Sequence, residues 1–317
     1  MSSSAAVVGC GALGTVVSNL LVRSGVGRVR VVDRDFVEMS NLQRQTLFEE
    51  SDANEALPKA VAAERRLRAT NSDVSVEGIV ADLSPRNAVE LLSGFDAILD
   101  ATDNFQTRLL LNDLSLSLQI PWVYAAAVGS YGLTMTILPG KTACLACLLE
   151  SEEGAVLGAE PTCDTVGVLN AAVGVIASIQ AAEAMKLLAK KQESLHGKLL
   201  SFDVWTGASQ SIRVAPNPRC RACVRREFTY LEGEAQPHIT LCGRDSVQIH
   251  EQNRRLDLNE LGRRLSVSTP EVRNNDFLVR FRVASYEVTV FADGRAIIKG
   301  TKDPAVARSL YARYIGA

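Results

Sequence analysis

The first part of the chain alternates short apolar runs with stretches in which apolar residues recur at helical spacing. Residues 5–8 form an apolar run that predicts a buried strand, and residues 12–24 place Leu and Val on one helical face. A second apolar run over residues 29–32 ends at Asp33. This order predicts a strand–helix–strand unit with parallel strands and a right-handed crossover.

The same alternation continues to residue 214 and predicts one large sheet. Further helices are predicted over residues 58–69, 85–93 and 104–118, and strands over residues 74–80, 97–99, 122–126, 133–138, 199–202 and 210–214. The apolar stretch 166–188 contains Asn, Gln, Glu and Lys, so it predicts a buried helix rather than a membrane span. The predicted fold class is α/β: a Rossmann-like, doubly wound, mostly parallel sheet with an antiparallel extension.

Two breaks interrupt this pattern. Residues 150–162 show no hydrophobic period and predict a mobile surface loop, and residues 232–237 contain Gly and Pro and predict a domain boundary. We therefore expect one domain over residues 1–233 and a small C-terminal α/β domain over residues 237–317. The second domain should contain strands at 277–283, 286–291 and 296–299, a hairpin turn at 292–294 and a closing helix at 304–314.

Composition and charge narrow the class of protein. The chain has 34 basic and 36 acidic residues, a net charge of −2, and this balance argues against nucleic acid or an anionic membrane as a partner. The sequence runs from its first residues into the first strand without an apolar leader. Seven cysteines in such a chain favour metal or redox chemistry over structural disulfides, so we expect a protein of the reducing cytoplasm.

The first strand–helix connection carries glycines at the spacing Gly9-x-Gly11-x-x-Gly14. Glycines there let the backbone approach a phosphate, and the helix N-terminus offers N–H groups and a partial positive charge. Asp33 ends the next strand, where a carboxylate can accept hydrogen bonds from ribose hydroxyls. These residues predict a nucleotide site and leave a dinucleotide and ATP as open alternatives, beside a tight turn that binds nothing.

Polar residues follow two of the predicted strands. Asn41, Arg44 and Lys59 come after the second strand, and Asp103 follows the strand that ends at Asp100. Cations at this position suit an enzyme that handles a triphosphate, whereas an NAD enzyme has no particular need for them; the alternative is a solvated Arg and a helix-starting Lys. Asp103 can hold Mg²⁺ beside phosphates, cap the helix that begins near residue 104, or do both.

Two CxxC pairs, Cys144 with Cys147 and Cys220 with Cys223, are separated by residues 148–219. Four thiolates form a tetrahedral site suited to Zn²⁺ and leave no open position, so we predict a structural zinc site. Reduced, metal-free thiols are the alternative. A thioredoxin-like redox role is disfavoured because neither pair convincingly opens a helix after a strand.

Taken in order, the segments 33–35 (DRD), 40–45 (SNLQRQ), 58–59 (PK) and 100–104 (DATDN) and the two CxxC pairs resemble the ThiF/MoeB family. These proteins are bacterial relatives of ubiquitin-activating enzymes, and the resemblance covers about residues 5–230. Within the family the chain is most similar to ThiF-type proteins of thiamine biosynthesis. The resemblance implies ATP-dependent adenylation of the C-terminal glycine of a small ubiquitin-like sulfur-carrier protein ending in Gly-Gly, for thiamine or molybdopterin sulfur transfer.

The resemblance also implies roles for individual residues. Asp33 would hold the ribose, Asn41, Arg44 and Lys59 would contact the phosphates, and Asp103 would bind Mg²⁺, so ATP, Mg²⁺ and Zn²⁺ are the expected cofactors. Cys163 resembles the position at which ThiF relatives carry a cysteine able to take the carrier in a covalent link; a small buried apolar side chain is the alternative. A homodimer and a sulfur-donor protein are further expected partners.

The beginning of the chain differs from the family pattern. Family members usually begin with a helix that carries an Arg-Tyr-x-Arg-Gln segment, of which one Arg reaches into the ATP site of the partner subunit, and this sequence begins at the predicted first strand. A non-catalytic scaffold is therefore an alternative function. The others are a family member that activates a small carboxylate or a modified tRNA base, and an NAD-dependent oxidoreductase.

Overall fold

The protein divides into two compact units, Met1–Ala235 and Gln236–Ala317. The structure is a computed structural model and describes residues 3–149, 167–233, 240–241, 245–250, 255–269 and 271–316. Each unit has a sheet and a hydrophobic core of its own. They are called the N-terminal unit and the C-terminal unit below.

Strands and helices alternate along most of the N-terminal unit. Its strands are β1 (Ser4–Val8), β2 (Arg28–Asp33), β3 (Ser75–Val80), β4 (Ala97–Asp100), β5 (Trp122–Val128), β6 (Tyr131–Ile137), β7 (Leu199–Asp203) and β8 (Ala208–Ile212). Its described helices are α1 (Ala12–Arg23), α2 (Glu50–Asn54), α3 (Lys59–Thr70), α4 (Ala88–Leu92), α5 (Phe105–Leu118), α6 (Leu145–Leu149) and α7 (Asn170–Leu188). The predicted elements lie within a few residues of these bounds, and the short helices α2 and α6 were not predicted.

The eight strands form one sheet in the order β3-β2-β1-β4-β5-β6-β7-β8. Strand β1 is parallel to β2 and β4, and β3 and β5 extend the parallel part. Strands β6, β7 and β8 are antiparallel to their neighbours. The predicted doubly wound sheet with an antiparallel extension is confirmed. The strand order reverses between β1 and β4, and ligands of such sheets bind at the carboxyl ends of the strands at that point.

Helix α7 is long and apolar enough to cross a membrane, yet it packs inside the N-terminal unit against α1, β5 and β6. A Cβ on Gly132 of β6 would lie 2.2 Å from Ile176, so glycine is needed for this close approach. The buried amide of Gln180 donates to the carbonyl oxygens of Asp100 and Val123 at 2.7 and 2.8 Å. This packing is that of a core helix that holds β4 and β5.

The described residues of the C-terminal unit form an antiparallel sheet and two helices. Its strands pair in the order β11-β12-β13-β14-β10-β9 and are β9 (Thr240–Leu241), β10 (Ser246–His250), β11 (Arg273–Asn274), β12 (Leu278–Val283), β13 (Tyr286–Phe291) and β14 (Arg295–Lys299). Its helices are α8 (Leu258–Ser266), which was not predicted, and α9 (Pro304–Tyr314). The predicted hairpin is present, because Val290 pairs with Ala296 and Gly294 between them has a φ of +82°.

Candidate nucleotide site and metal centre

The turn between β1 and α1 brings backbone against backbone at the centre of the sheet. Gly9 has a φ of +92° and donates its N–H to the carbonyl oxygen of Val32 at 2.8 Å. A Cβ on Gly9 would lie 2.5 Å from the carbonyl oxygen of Ala101, and a Cβ on Gly14 would lie 2.0 Å from that of Gly9. The packing of the turn alone therefore requires two of its three glycines.

Gly11 lies in a more open environment than the other two glycines. A Cβ at this position would meet only Nε2 of Gln45, at 3.9 Å. Within the described part of the chain, no side chain caps α1 at Gly11, and the first turn of α1 has no acidic residue. The helix N-terminus thus keeps its partial positive charge and its donors for an anion.

Asp33 ends β2 beside this turn, because Val8 of β1 pairs with Val32. Its carboxylate accepts the N–H of Cys10 at 2.5 Å and the N–H of Asp35 at 2.7 Å. Burial raises the pKa of Asp33 above its usual range, although the ammonium of Lys59 opposes that rise. Backbone donors therefore fix the orientation of this carboxylate, and its role toward a ribose stays a prediction.

Lys59 begins α3 and is buried, with 3% of its side chain exposed. Its Nζ lies 3.2 Å from Oδ2 of Asp35, and its backbone N–H donates to the carbonyl oxygen of Asp35 at 2.9 Å. Lys59 therefore does start a helix, as the alternative expected, but its ammonium is buried and paired with a carboxylate, as a buried charge requires. Asp35, to which the sequence analysis assigned no role, fixes this cation near the carboxyl end of β2.

The segment between β2 and α3 contributes two buried amides and a cation. Asn41 and Gln45 are each 3% exposed, and their side-chain oxygens have no hydrogen-bond partner among the described residues. The amide of Gln45 lies over Gly11. Arg44 is half-buried and donates from Nη1 to the carbonyl oxygen of Ser40 at 3.1 Å. Buried acceptors without partners are typical of a polar site that a ligand or water completes.

Asp103 lies exposed in the loop that follows β4. Asn104 caps α5, since its Oδ1 accepts the N–H of Thr107 at 2.8 Å, and the alternative that Asp103 caps this helix is therefore wrong. The same loop contacts Gly9 through the backbone of residues 101 and 102. An exposed carboxylate thus lies in the loop that packs against the glycine turn, where it is free to hold a cation.

A buried ion pair holds the loop that carries Asp103. Oδ2 of Asp100 lies 3.6 Å from Nε of Arg108, and Arg108 also donates to the carbonyl oxygen of Thr102 at 2.7 Å. Burial raises the pKa of Asp100 to about 6, against the lowering effects of Arg108 and of the hydrogen bonds from Thr102. The sequence analysis assigned Arg108 no role, although it follows the DATDN segment by one helical turn.

Arg34, which follows β2, interacts electrostatically with acidic residues that include Asp103 of the loop after β4. Its Nη1 lies 3.0 Å from Oδ1 of Asp82. Burial lowers the pKa of Arg34, but the carboxylates of Asp82, Asp35 and Asp103 together raise it above its usual value. The guanidinium thus pairs with Asp82, lies 4.0 Å from Oδ1 of Asp35 and is stabilised by the nearby negative charge of Asp103.

The four CxxC cysteines form a separate centre. Their sulfur atoms all lie within 4.8 Å of one another, and the Sγ–Sγ distances include 3.8 Å for Cys144–Cys147, 3.6 Å for Cys144–Cys220 and 3.4 Å for Cys147–Cys223. Tetrahedral zinc with Zn–S bonds of about 2.3 Å requires sulfurs about 3.8 Å apart, so this donor set fits the ion. Hydrogen bonds from Cys144 and from the N–H of Asn217 lower the pKa of Cys147 below its usual range, which favours the thiolate that a metal binds.

The first CxxC pair opens the short helix α6, which differs from the sequence-based expectation. A helix that starts at such a pair is also found in redox proteins. Here, however, each cysteine of the first pair has a sulfur of the second pair within 3.6 Å. A site of four sulfurs is typical of metal binding, and the redox alternative stays disfavoured.

Nearly all predicted nucleotide-site residues lie at the carboxyl ends of neighbouring strands or in the segments that follow them. They are Gly9, Gly11 and Gly14 after β1, Asp33, Asn41, Arg44 and Lys59 at or after β2, and Asp103 after β4. Cys163 and the predicted loop 150–162 lie outside the described residues. The role of Cys163 therefore stays a prediction.

The fold and these two centres define a nucleotide-binding α/β protein with a four-cysteine cluster. Residues 1–222 match the ThiF family, and the chain belongs to this family. It is 44% identical over 316 residues to the sulfur carrier protein ThiS adenylyltransferase of Bacillus subtilis, covering 98% of this chain and 92% of the relative. It is 40% identical over 223 residues to the SAMP-activating enzyme E1 of Haloferax volcanii, and this match covers 70% of this chain and 81% of the relative.

Solved structures support the fold. The structure of E. coli MccB with ATP is similar to this chain with a TM-score of 0.60 at 24% identity. The match covers 70% of this chain and 66% of the MccB chain. At this identity the likeness shows the fold alone.

Proposed function

We propose that the chain is an adenylyltransferase that uses ATP to activate the C-terminal glycine of a small ubiquitin-like sulfur-carrier protein. Membership of the ThiF family and the identity with a ThiS adenylyltransferase support this function. In the structure, the observation that carries the proposal is the clustering of the glycine turn, the buried ammonium of Lys59 and the exposed carboxylate of Asp103 at one edge of the sheet.

In the proposed reaction a carboxylate oxygen of the carrier glycine attacks the α-phosphorus of ATP. The bond from that phosphorus to the bridging oxygen breaks, pyrophosphate leaves with the electron pair, and an acyl-adenylate remains. The step needs no nucleophile from the protein. Catalysis therefore depends on holding the two reactants in line and on stabilising charge that builds up on the phosphates.

The chain offers a matching set of groups for these tasks. Asp33 would hold the ribose, Asn41 and the planar fork of Arg44 would bind phosphate oxygens, and Lys59 would place a compact charge beside them. The contact between Nζ of Lys59 and Oδ2 of Asp35, at 3.2 Å, holds this side chain in place before a nucleotide arrives. Asp103 would hold Mg²⁺, whose chemistry is to neutralise phosphate charge.

We infer in addition that the four cysteines hold a structural Zn²⁺, because four protein ligands leave no position for substrate. The ThiS relative favours sulfur transfer to thiamine over the molybdopterin alternative. The assembly proposed from the family resemblance is a homodimer, with the carrier and a sulfur-donor protein as partners. Cys163 would take the carrier in a covalent link: its thiolate would attack the carbonyl carbon of the acyl-adenylate, the bond to the phosphate oxygen would break, and AMP would leave.

Pyrophosphate exchange into ATP tests this function, with and without a carrier protein that ends in Gly-Gly. We expect carrier-dependent exchange that falls about 100-fold or more in Arg44→Ala and in Asp103→Ala. Arg23→Ala is the matched control, because Arg23 is exposed and its Nε donates to Asn19 at 3.0 Å on the surface of α1. Exchange that small carboxylates support as well as the carrier, or exchange unchanged in both site variants, would contradict the proposal.

A further inference from the structure

Helix α5 contacts both cysteine loops through two consecutive side chains. Asn112 and Asp113 are each fully buried. Asn112 contacts Leu145, in the first CxxC pair, and Asp113 contacts Arg221, in the second. Neither residue offers a sulfur to the cluster, so their contribution to it is to hold its loops.

Asn112 holds the first loop. Its Oδ1 accepts the N–H of Leu145 at 2.8 Å. Leu145 directly follows Cys144 and is the first residue of α6, so its N–H has no acceptor within that helix. The bond therefore satisfies a buried donor and fixes the start of the helix that carries Cys147.

Asp113 holds the second loop. Nη1 of Arg221, the residue after Cys220, lies 3.3 and 3.2 Å from the two carboxylate oxygens of Asp113. The N–H of Tyr230 donates to Oδ2 of the same carboxylate at 3.0 Å, and Arg221 also donates to the carbonyl oxygen of Glu227 at 2.7 Å. One carboxylate thus orders the loop over about ten residues.

The burial of these contacts makes them hard to replace by water. The side chains of Asp113 and Arg221 are 0% and 12% exposed, and removal of one partner would leave the other buried charge without its counter-charge. The two loops are far apart in sequence, since 76 positions separate Cys144 from Cys220. A helix that orders both loops beforehand lowers the entropy that metal binding must otherwise overcome.

We propose that Asn112 and Asp113 are positioning residues of the metal centre, which set its affinity for zinc by holding both cysteine loops against α5. The inference rests on the zinc site of the proposed function. Partners that orient metal ligands typically change metal affinity by about 10- to 100-fold when they are removed. The same range is expected for Asp113→Asn, which keeps the shape of the side chain and removes its charge, and for Asn112→Ala.

Competition for zinc between the full chain and a chromophoric chelator measures this affinity without any nucleotide. Glu183→Gln is the matched control, because Glu183 is also a buried carboxylate that pairs with a cation, Lys186, and accepts a backbone N–H, that of His196. It lies on α7 and orders neither cysteine loop. We expect the control to bind zinc as the parent does, and each α5 variant to bind it at least about 10-fold more weakly.

Arg221→Lys provides a second test if Asp113→Asn does not fold. It keeps the charge and loses the planar fork, so a smaller loss of zinc affinity in the same direction is expected. Parent affinity in all folded variants of Asn112, Asp113 and Arg221 would overturn this inference and leave the zinc site in place. A parent chain that binds no zinc would overturn the zinc site and this inference together, while carrier-dependent exchange reports separately on the adenylation function.

Discussion

The substitution Gly11→Ala tests whether the glycine turn binds phosphate, because it should weaken phosphate binding and leave the fold of the turn intact. A Cβ at residue 11 meets only Nε2 of Gln45, at 3.9 Å, which is an ordinary van der Waals contact. The same change at Gly9 or Gly14 would bring a Cβ within 2.5 or 2.0 Å of a backbone oxygen. We therefore expect the fold to tolerate Gly11→Ala and not the other two changes.

The expected magnitudes follow from the backbone and from the proposed ligand. Gly11 has φ −85° and ψ −145°, outside the main β region, and an alanine there should cost about 1 kcal/mol of the free energy of unfolding. A phosphate against the turn would meet the new methyl group. The loss of one charge-assisted hydrogen bond costs about 1.5–3 kcal/mol. At about 1.4 kcal/mol for each tenfold change, the Kd for ATP should rise about 10- to 100-fold.

Calorimetry of Mg·ATP binding and urea unfolding together test this prediction. Gly174→Ala is the control, because Gly174 lies in α7 and a Cβ there meets nothing within 4 Å. The control should bind ATP as the parent does, with equal or higher stability. A folded Gly11→Ala protein that binds ATP with parent affinity would refute the contact between phosphate and the turn.

Removal of the metal by a chelator should lower the Tm, and the folded, metal-free protein should keep its pyrophosphate-exchange activity. Complete loss of activity in that folded form would contradict a purely structural role for the metal. Lys59→Met should lower exchange about 100-fold and destabilise the fold by about 2 kcal/mol, because Asp35 loses a buried partner, and parent-like exchange would rule out a role for this ammonium. Burial raises the pKa of Asp100 from 3.8 to about 6, so the folded protein binds a proton at this carboxylate more tightly than the unfolded chain does. The free energy of unfolding should therefore fall by up to about 3 kcal/mol from this group as the pH rises from about 4 to about 6. Asp100→Asn should remove that part of the pH dependence in urea unfolding, and an unchanged profile would contradict the shift.

The elements that were predictable are those with a strong apolar period. The strand, helix and strand that carry Gly9 and Asp33 are of this kind, because their apolar residues face one core. Helix α8 was missed although its signal is present: Asp257 caps it, and Leu258, Leu261 and Leu265 recur at helical spacing. Helix α6 has five residues, too few for any period to appear.

Some residues of the candidate site could also be predicted from the sequence, and others could not. The position of Asp103 just after the expected carboxyl end of a strand indicated a ligand-binding role, whereas the role of Lys59 was implied by the family resemblance. The residues that hold Lys59 and the second cysteine loop in place could not be found in this way. Asp35 contacts Lys59 across 24 positions and Asp113 contacts Arg221 across 108, and such pairs form only when the sheet has assembled. A single sequence does not reveal which charged residues will be buried together.

The measurement that tests the central claim most directly is mass spectrometry of a carrier protein ending in Gly-Gly after incubation with Mg·ATP and the full chain. We predict that the carrier gains the mass of one adenylate, that pyrophosphate is released in equal amount, and that hydroxylamine removes the added group. A carrier of unchanged mass, in the presence of folded protein that binds ATP, would contradict the account.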